Sequence, residues 1–210
     1  MSQSSSAAAA AQHHVHRDDL GAKMGMWLFL FTELLLFGGM FLIYAAYRFQ
    51  FPNEFKFAAM ELSTAIGTLN TIILLTSSLT VAVSITALRK GNKFLAILNL
   101  SITIIFALAF MVNKFFEWSA KFSHGIYPGS EEMLNKSNGE ILFYGLYYVM
   151  TGLHGLHVLI GIIILAIILV FIIRGSVTAD NYMKLENSGL YWHLVDLIWI
   201  FLFPLFYLIH

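Results

Sequence analysis

The sequence contains no cysteine, which excludes disulfides, thiolate metal sites and thiol nucleophiles. It is also poor in charge. Only 11% of the 210 residues are Asp, Glu, Lys or Arg, against about 25% in soluble domains. Neither sign is in excess, with twelve basic and twelve acidic side chains, so nothing here draws the chain to nucleic acid or an anionic surface. The N-terminus lacks the basic n-region and apolar core of a secretory signal. What is abundant is apolar surface: 59% of the residues are hydrophobic, and they fall in runs long enough to cross a bilayer.

In order along the chain, residues 1–24 are Ser/Ala-rich and then polar, and read as a disordered cytoplasmic tail. His13, His14 and His16 within it form at most a weak metal-binding cluster. Five apolar spans follow, at about 25–47, 64–88, 94–116, 141–173 and 190–209. The fold class they imply is an all-α integral membrane protein, a five-helix bundle making one membrane domain over 25–210. Met26, Leu30, Glu33, Phe37, Met40 and Tyr44 fall on one face of the first span. Gly38 and Gly39 there would let a neighbouring helix approach closely. Arg48 and Pro52 end that span.

The second span carries Ser63, Gly67, Asn70, Ser77 and Ser84 on one stripe, a packing surface in lipid or, alternatively, a water-lined proton path. The third ends in Asn113, Lys114, Glu117 and Trp118, an interfacial anchor pattern, and Tyr144, Tyr147 and Tyr148 at the start of the fourth resemble an aromatic belt. Residues 118–140 form the one sizeable loop. The fourth span, at ~50 Å, exceeds the hydrocarbon thickness and must tilt or project. Pro204 should kink the fifth by freeing the carbonyl of Ile200.

With the N-terminus inside, the inner segments carry Arg17, Lys23, Arg89, Lys90, Lys93, Arg174 and Lys184, against Arg48, Lys56, Lys114, Lys121 and Lys136 outside. That excess, concentrated in the turn after span two, places the N-terminus in the cytoplasm and the C-terminus outside. No inverted repeat is visible, which counts against a transporter built that way.

The polar residues inside the spans are Glu33, His154, His157, His193 and Asp196. Such groups are costly in lipid and are by default functional or paired. Spacing of three puts His154 and His157 on one face, and likewise His193 and Asp196. Depth along the spans makes His157, rather than His154, the nearer partner for Glu33. Three readings compete. Histidines with a carboxylate suit a redox metal or haem, but no Glu-x-x-His pair occurs and one histidine pair supplies no opposing axial ligands. A proton relay uses the same residue types. A satisfied polar network holding helices or lipid headgroups is the third, and ranks first on physical grounds.

Four stretches carry a family likeness: Gly25–Gly39 (GMWLFLFTELLLFGG), Leu69-Asn70-Thr71, Tyr148–Gly161 (YVMTGLHGLHVLIG) and Tyr191–Trp199 (YWHLVDLIW). In that order they resemble subunit III of the haem–copper oxidases, the cytochrome c and quinol oxidase superfamily, over nearly everything after residue 20. The resemblance implies a short, five-helix subunit with no haem, copper or other redox metal of its own. Haem and copper would lie in partner subunits I and II of an oxygen-reducing, proton-pumping complex in a prokaryotic cytoplasmic membrane. The chain would stabilise subunit I and help sustain its proton uptake, without being catalytic alone. The family's helices surround a lipid-filled cleft, so membrane lipids, bound phospholipid included, are implied partners. Glu33 matches the family's intramembrane glutamate, and His154, His157, His193 and Asp196 its membrane histidines and aspartate. Glu117 matches an acid at the end of the corresponding helix.

The chain begins where the long form's third helix would, so that form's first two helices are expected to be absent. Ala87-Leu88-Arg89 stand where many members carry a histidine pair. The equivalent subunit of a quinol oxidase or nitric oxide reductase is the related alternative; a stand-alone proton or ion channel is the alternative of another class.

Overall fold

In lipid the backbone has to satisfy its own hydrogen bonds, so each long apolar run becomes a helix. The computed structural model describes residues 19–209; His13, His14 and His16 lie outside the described residues. The elements are α1 (Asp19–Gln50), α2 (Pro52–Met60), α3 (Thr64–Arg89), α4 (Lys93–Ser123), α5 (Glu131–Leu134), α6 (Asn138–Ile173) and α7 (Met183–Tyr207). Among the described residues, five helices are long and apolar enough to cross a membrane: α1, α3, α4, α6 and α7. They run up and down. The side where α1 begins is called near, and the side where it ends far.

The helices outrun the apolar stretches because their ends are capped by polar residues beyond them. Ser63 caps α3, Asn92 caps α4, and Ser137 and Glu140 form a reciprocal capping box on α6. The structure therefore corrects several boundaries. The last residues of the expected tail, from Asp19, are already helical. The loop expected over 118–140 is mostly absorbed by the end of α4, the short α5 and the start of α6. The first span ends before Pro52 as expected, at Gln50, and Pro52 also opens α2, where its missing N–H costs nothing. Pro204 lies inside α7, which stays continuous through it to Tyr207. At 36 residues, α6 is ~54 Å long, well beyond a ~30 Å core.

The small-residue stripe of α3 is a packing seam. Asn70, Ser77 and Ser84 are fully buried. Toward α4, Ser84 Oγ donates to Ala96 O at 2.9 Å, Thr80 and Thr103 hydroxyls meet at 2.7 Å, and Asn113 Nδ2 donates to Asn70 Oδ1 at 2.9 Å. Toward α7, the indoles of Trp192 and Trp199 donate to Ser77 and Thr71, each at 3.0 Å. At Gly67 even a Cβ would stand 2.8 Å from the Tyr207 ring. On α6, a Cβ at Gly161 would stand 2.7 Å from Trp192.

The first helix packs by a single stripe. Leu30, Phe37 and Tyr44 are buried and the opposite face is exposed. A Cβ on Gly38 or Gly39 would meet nothing within 4 Å among the described residues, so the close approach expected there is not made to another helix of this chain among them. Polar contacts fasten α1 at each depth: Lys23 to Glu186 at 3.3 Å on the near side, Glu33 to His157 in the middle, and the Tyr44 hydroxyl to Leu205 O on the far side.

Candidate functional site

The fourth long helix, α6, carries a polar face along its first half. Glu140, Tyr144, Tyr147, Thr151, His154 and His157 succeed one another at spacings of three or four, which stack on one side of a helix. That side faces the bundle. Tyr144, Tyr147 and Tyr148 are therefore not a lipid-facing belt; all three are buried, and their hydroxyls bind Glu61, Glu117 and Ile126 O. Aromatic composition near a span end suits both roles, and only the 3–4 spacing shared with His154 and His157 separates them.

At mid-depth, His157 Nε2 lies 3.0 Å from Glu33 Oε2, and its Nδ1 lies 2.8 Å from Leu153 O. The partner expected from depth is the one observed. A carbonyl only accepts, so Nδ1 carries a hydrogen, and one further hydrogen sits between Nε2 and Oε2. Whether it resides on the carboxyl or on the imidazole, the pair is neutral overall, the condition for surviving in lipid. The two side chains line a cleft of about 440 Å³ between α1, α6 and α7, walled also by Met26, Phe29 and Tyr191. Tyr191 donates to His157 O at 3.0 Å, holding the backbone below the ring.

This geometry makes a prediction. Glu33→Gln keeps a donor facing Nε2 and should leave thermal stability nearly unchanged. Glu33→Leu leaves Nε2 alone and should cost about 1–3 kcal/mol. Equal losses in the two variants, read by melting the complex in detergent, would mean that a full ion pair had been broken.

His193 and Asp196 share their face as expected. His193 Nδ1 meets Ser78 Oγ at 2.7 Å. Asp196 is buried on the adjacent turn, with the Ser78 side chain beside it. His154 is set apart from His157. It is fully buried, neither nitrogen has a partner among the described residues, and its ring packs on Trp199 and Phe110 at 5.3 and 5.6 Å. Among the described residues no three His, Asp or Glu side chains converge on a point that could hold a metal ion.

Toward the far side lies a charged knot. Lys114 and Glu117 are both buried, with Nζ 3.1 Å from Oε2. Tyr147 and Tyr207 donate to Glu117 Oε1 at 2.6 and 2.5 Å, and Lys114 also donates to the Tyr207 hydroxyl at 2.7 Å. Lys114 is thus no interfacial anchor: it turns inward, with Trp199, Tyr147 and Tyr207 rings 5.0–5.3 Å from its ammonium. Glu117 ties α4 to α6 and α7. Composition at the end of α4 could not separate an anchor from a buried pair, because the deciding tyrosine on α7 lies 90 residues away.

A second far-side cluster, centred on Glu61, which is not among the residues singled out by sequence, joins α2 to α6. Glu61 accepts from Lys136 at 3.1 Å and from the Tyr144 hydroxyl. Burial lowers the pKa of Lys136, but the hydrogen bond and charge of Glu61, aided by Glu140, outweigh it and hold it above the ordinary lysine range. The stabilisation that the lysine's proton brings is fully present below the ordinary lysine range and is lost as pH rises through the raised value.

The family model for cytochrome c oxidase subunit III matches residues 3–210. The chain belongs to that family. The cytochrome c oxidase subunit 3 of Yarrowia lipolytica is 35% identical over 199 residues, covering 89% of this chain and 67% of the relative. A probable quinol oxidase subunit 3 of Staphylococcus saprophyticus is 29% identical, covering 89% of this chain and 88% of the relative. A haem–copper oxidase subunit I+III of Aeropyrum pernix is 28% identical over 89% of this chain, which spans only 22% of that longer protein. The chain is therefore a haem–copper oxidase subunit III and a multi-pass membrane protein. In this subunit III the residues singled out by sequence divide into the Glu33–His157 pair, the buried His154, the His193–Asp196 face on Ser78, and Glu117 in the knot.

Proposed function

We propose that this subunit III is an accessory, redox-inactive component of a proton-pumping terminal oxidase, with haem and copper held by subunits I and II. It stabilises the catalytic subunit and supports proton uptake into it, and is not catalytic alone. The observation that carries this reading is how the polar groups are used. Glu33, His157 and Glu117, together with Lys114 and the buried tyrosines, spend their hydrogen bonds on one another and tie α1, α4, α6 and α7 into one body. The neutral Glu33–His157 pair borders a cleft suited to a phospholipid chain, which would keep a titratable group beside lipid on the face where protons enter. The reading places the chain in a prokaryotic cytoplasmic membrane, N-terminus inside.

A second reading, a quinol oxidase subunit, is supported by the name of the Staphylococcus relative. Affinity purification from native membranes tests both. A haem-bearing partner should co-elute, and its oxidation by quinol or cytochrome c decides the donor. Stripping the chain should leave a core that still reduces oxygen but pumps less and falls apart at lower temperature. A stable, monodisperse chain with no haem partner, or proton flux through liposomes holding this chain alone, would overturn the proposal.

A further inference from the structure

Across the bundle from the Glu33 cleft, and on the opposite side of the membrane, a groove of about 470 Å³ runs between the first turns of α3 and the last turns of α4. Its deeper part is apolar, lined by Ile66, Leu69 and Phe116, all exposed. Its far-side end is charged, with Glu61, Glu117 and Lys121 on the lining, and Ser63 and His124 at the rim.

The three charges are not equally provided for. Glu117 takes its hydrogen bonds from Lys114, Tyr147 and Tyr207. Glu61 takes its own from Lys136 and Tyr144. Lys121 has no hydrogen-bond acceptor among the described residues. Yet it is only 8% exposed, and what stands behind its ammonium is the rings of Tyr144 and Tyr147, 5.4 and 5.8 Å away. An ammonium held against ring faces still needs acceptors. The open direction left to it is the groove. The N-terminus of the 26-residue α3, capped by Ser63, adds the positive end of a helix dipole to the same rim.

We infer that this groove binds a phospholipid with an amine headgroup. Its phosphate accepts from Lys121 Nζ, its ammonium faces the Glu61 carboxylate, and an acyl chain lies along Ile66, Leu69 and Phe116. The apolar-to-charged gradient follows the membrane normal, as a phospholipid's does. A purely anionic headgroup would meet two carboxylates for one ammonium, whereas a zwitterion meets both signs. Glu61 is the carboxylate placed to receive the amine, its side chain being 41% exposed at the rim.

Native mass spectrometry of the complex, extracted from its own membranes in mild detergent with the chain released in the gas phase, reads the lipid on this subunit whichever partner co-purifies. One amine-headgroup phospholipid should remain on the wild-type chain. Lys121→Met should reduce its retention about tenfold or more, the loss of one charge-assisted hydrogen bond, and Lys121→Arg should restore it. Leu69→Trp fills the groove from an exposed position, leaves Lys121 in place and should reduce retention likewise; it carries the test if Lys121→Met fails to assemble. Glu33→Leu, at the other cleft, should not change it. Unchanged retention in Lys121→Met and Leu69→Trp, retention of only anionic phospholipid, or inorganic phosphate bound with no lipid would each overturn the assignment. So would a photo-crosslinker at Leu69 that captures a protein neighbour and no lipid.

Discussion

Glu117→Leu alone should cost the bundle about 3–5 kcal/mol, and the double variant with Lys114→Met far less. The single change leaves the Lys114 ammonium buried beneath three aromatic rings with only hydroxyl acceptors. Lys114→Met alone should fall at the lower end of the range, because the Glu117 carboxylate keeps the Tyr147 and Tyr207 donors. With both charges gone, the two tyrosines, already 3.4 Å apart, can bond to each other. The absence of cysteine gives a clean measurement. Ala107, fully buried, replaced by cysteine becomes the chain's single thiol, and its labelling against temperature in the purified complex reports opening of this subunit. Additive losses in the double variant would show that the two charges do not act as a pair.

Trp199→Ala should cost about as much, roughly 3–5 kcal/mol, while Trp199→Phe should cost about 1 kcal/mol for the lost indole hydrogen bond. Trp199 is fully buried and serves four neighbours at once. It donates to Thr71 at 3.0 Å, packs on His154 at 5.3 Å and on Phe110 at 5.0 Å, and lies 5.0 Å below the Lys114 ammonium. Alanine removes the ring that covers His154, whose two nitrogens have no other partner among the described residues, and opens a cavity where α3, α4, α6 and α7 meet. The same thiol measurement checks it. Similar melting of the alanine and phenylalanine variants would mean that the ring contributes little beyond its hydrogen bond.

Much of this architecture was legible in the residues, for identifiable reasons. Long apolar runs fix the spans because lipid leaves the backbone no other solution. The α3 stripe and the buried face of α1 show as spacing. The Glu33–His157 pair follows from depth along the spans, which brings His157 nearer to Glu33 than His154. Reading failed where one composition serves two environments. Tyr144, Tyr147, Tyr148 and Lys114 lie near span ends, where belts and anchors also lie, and only tertiary contacts turn them inward. Pro52 ends α1 as its chemistry requires, but nothing local shows that it also opens a further short helix. Glu61 carries no local signal because its partners, Tyr144 and Lys136, lie 83 and 75 residues further on. His154 shares a helix face with His157 yet meets Trp199 rather than Glu33, since a shift of one turn changes which neighbouring helix is opposite.

The fastening of α1 also sets an order of events in time. Glu33 precedes His157 by 124 residues, and Tyr44 precedes Leu205 by 161. At about 5–20 residues per second of synthesis, the partners of α1 emerge roughly 6–30 s after it. Through that interval Tyr44 has Phe55 of α2 to pack against, while Phe37 waits for the His157 ring. The earliest of these helices to be made is thus the latest to be secured, and the Glu33 carboxyl waits that long for its imidazole.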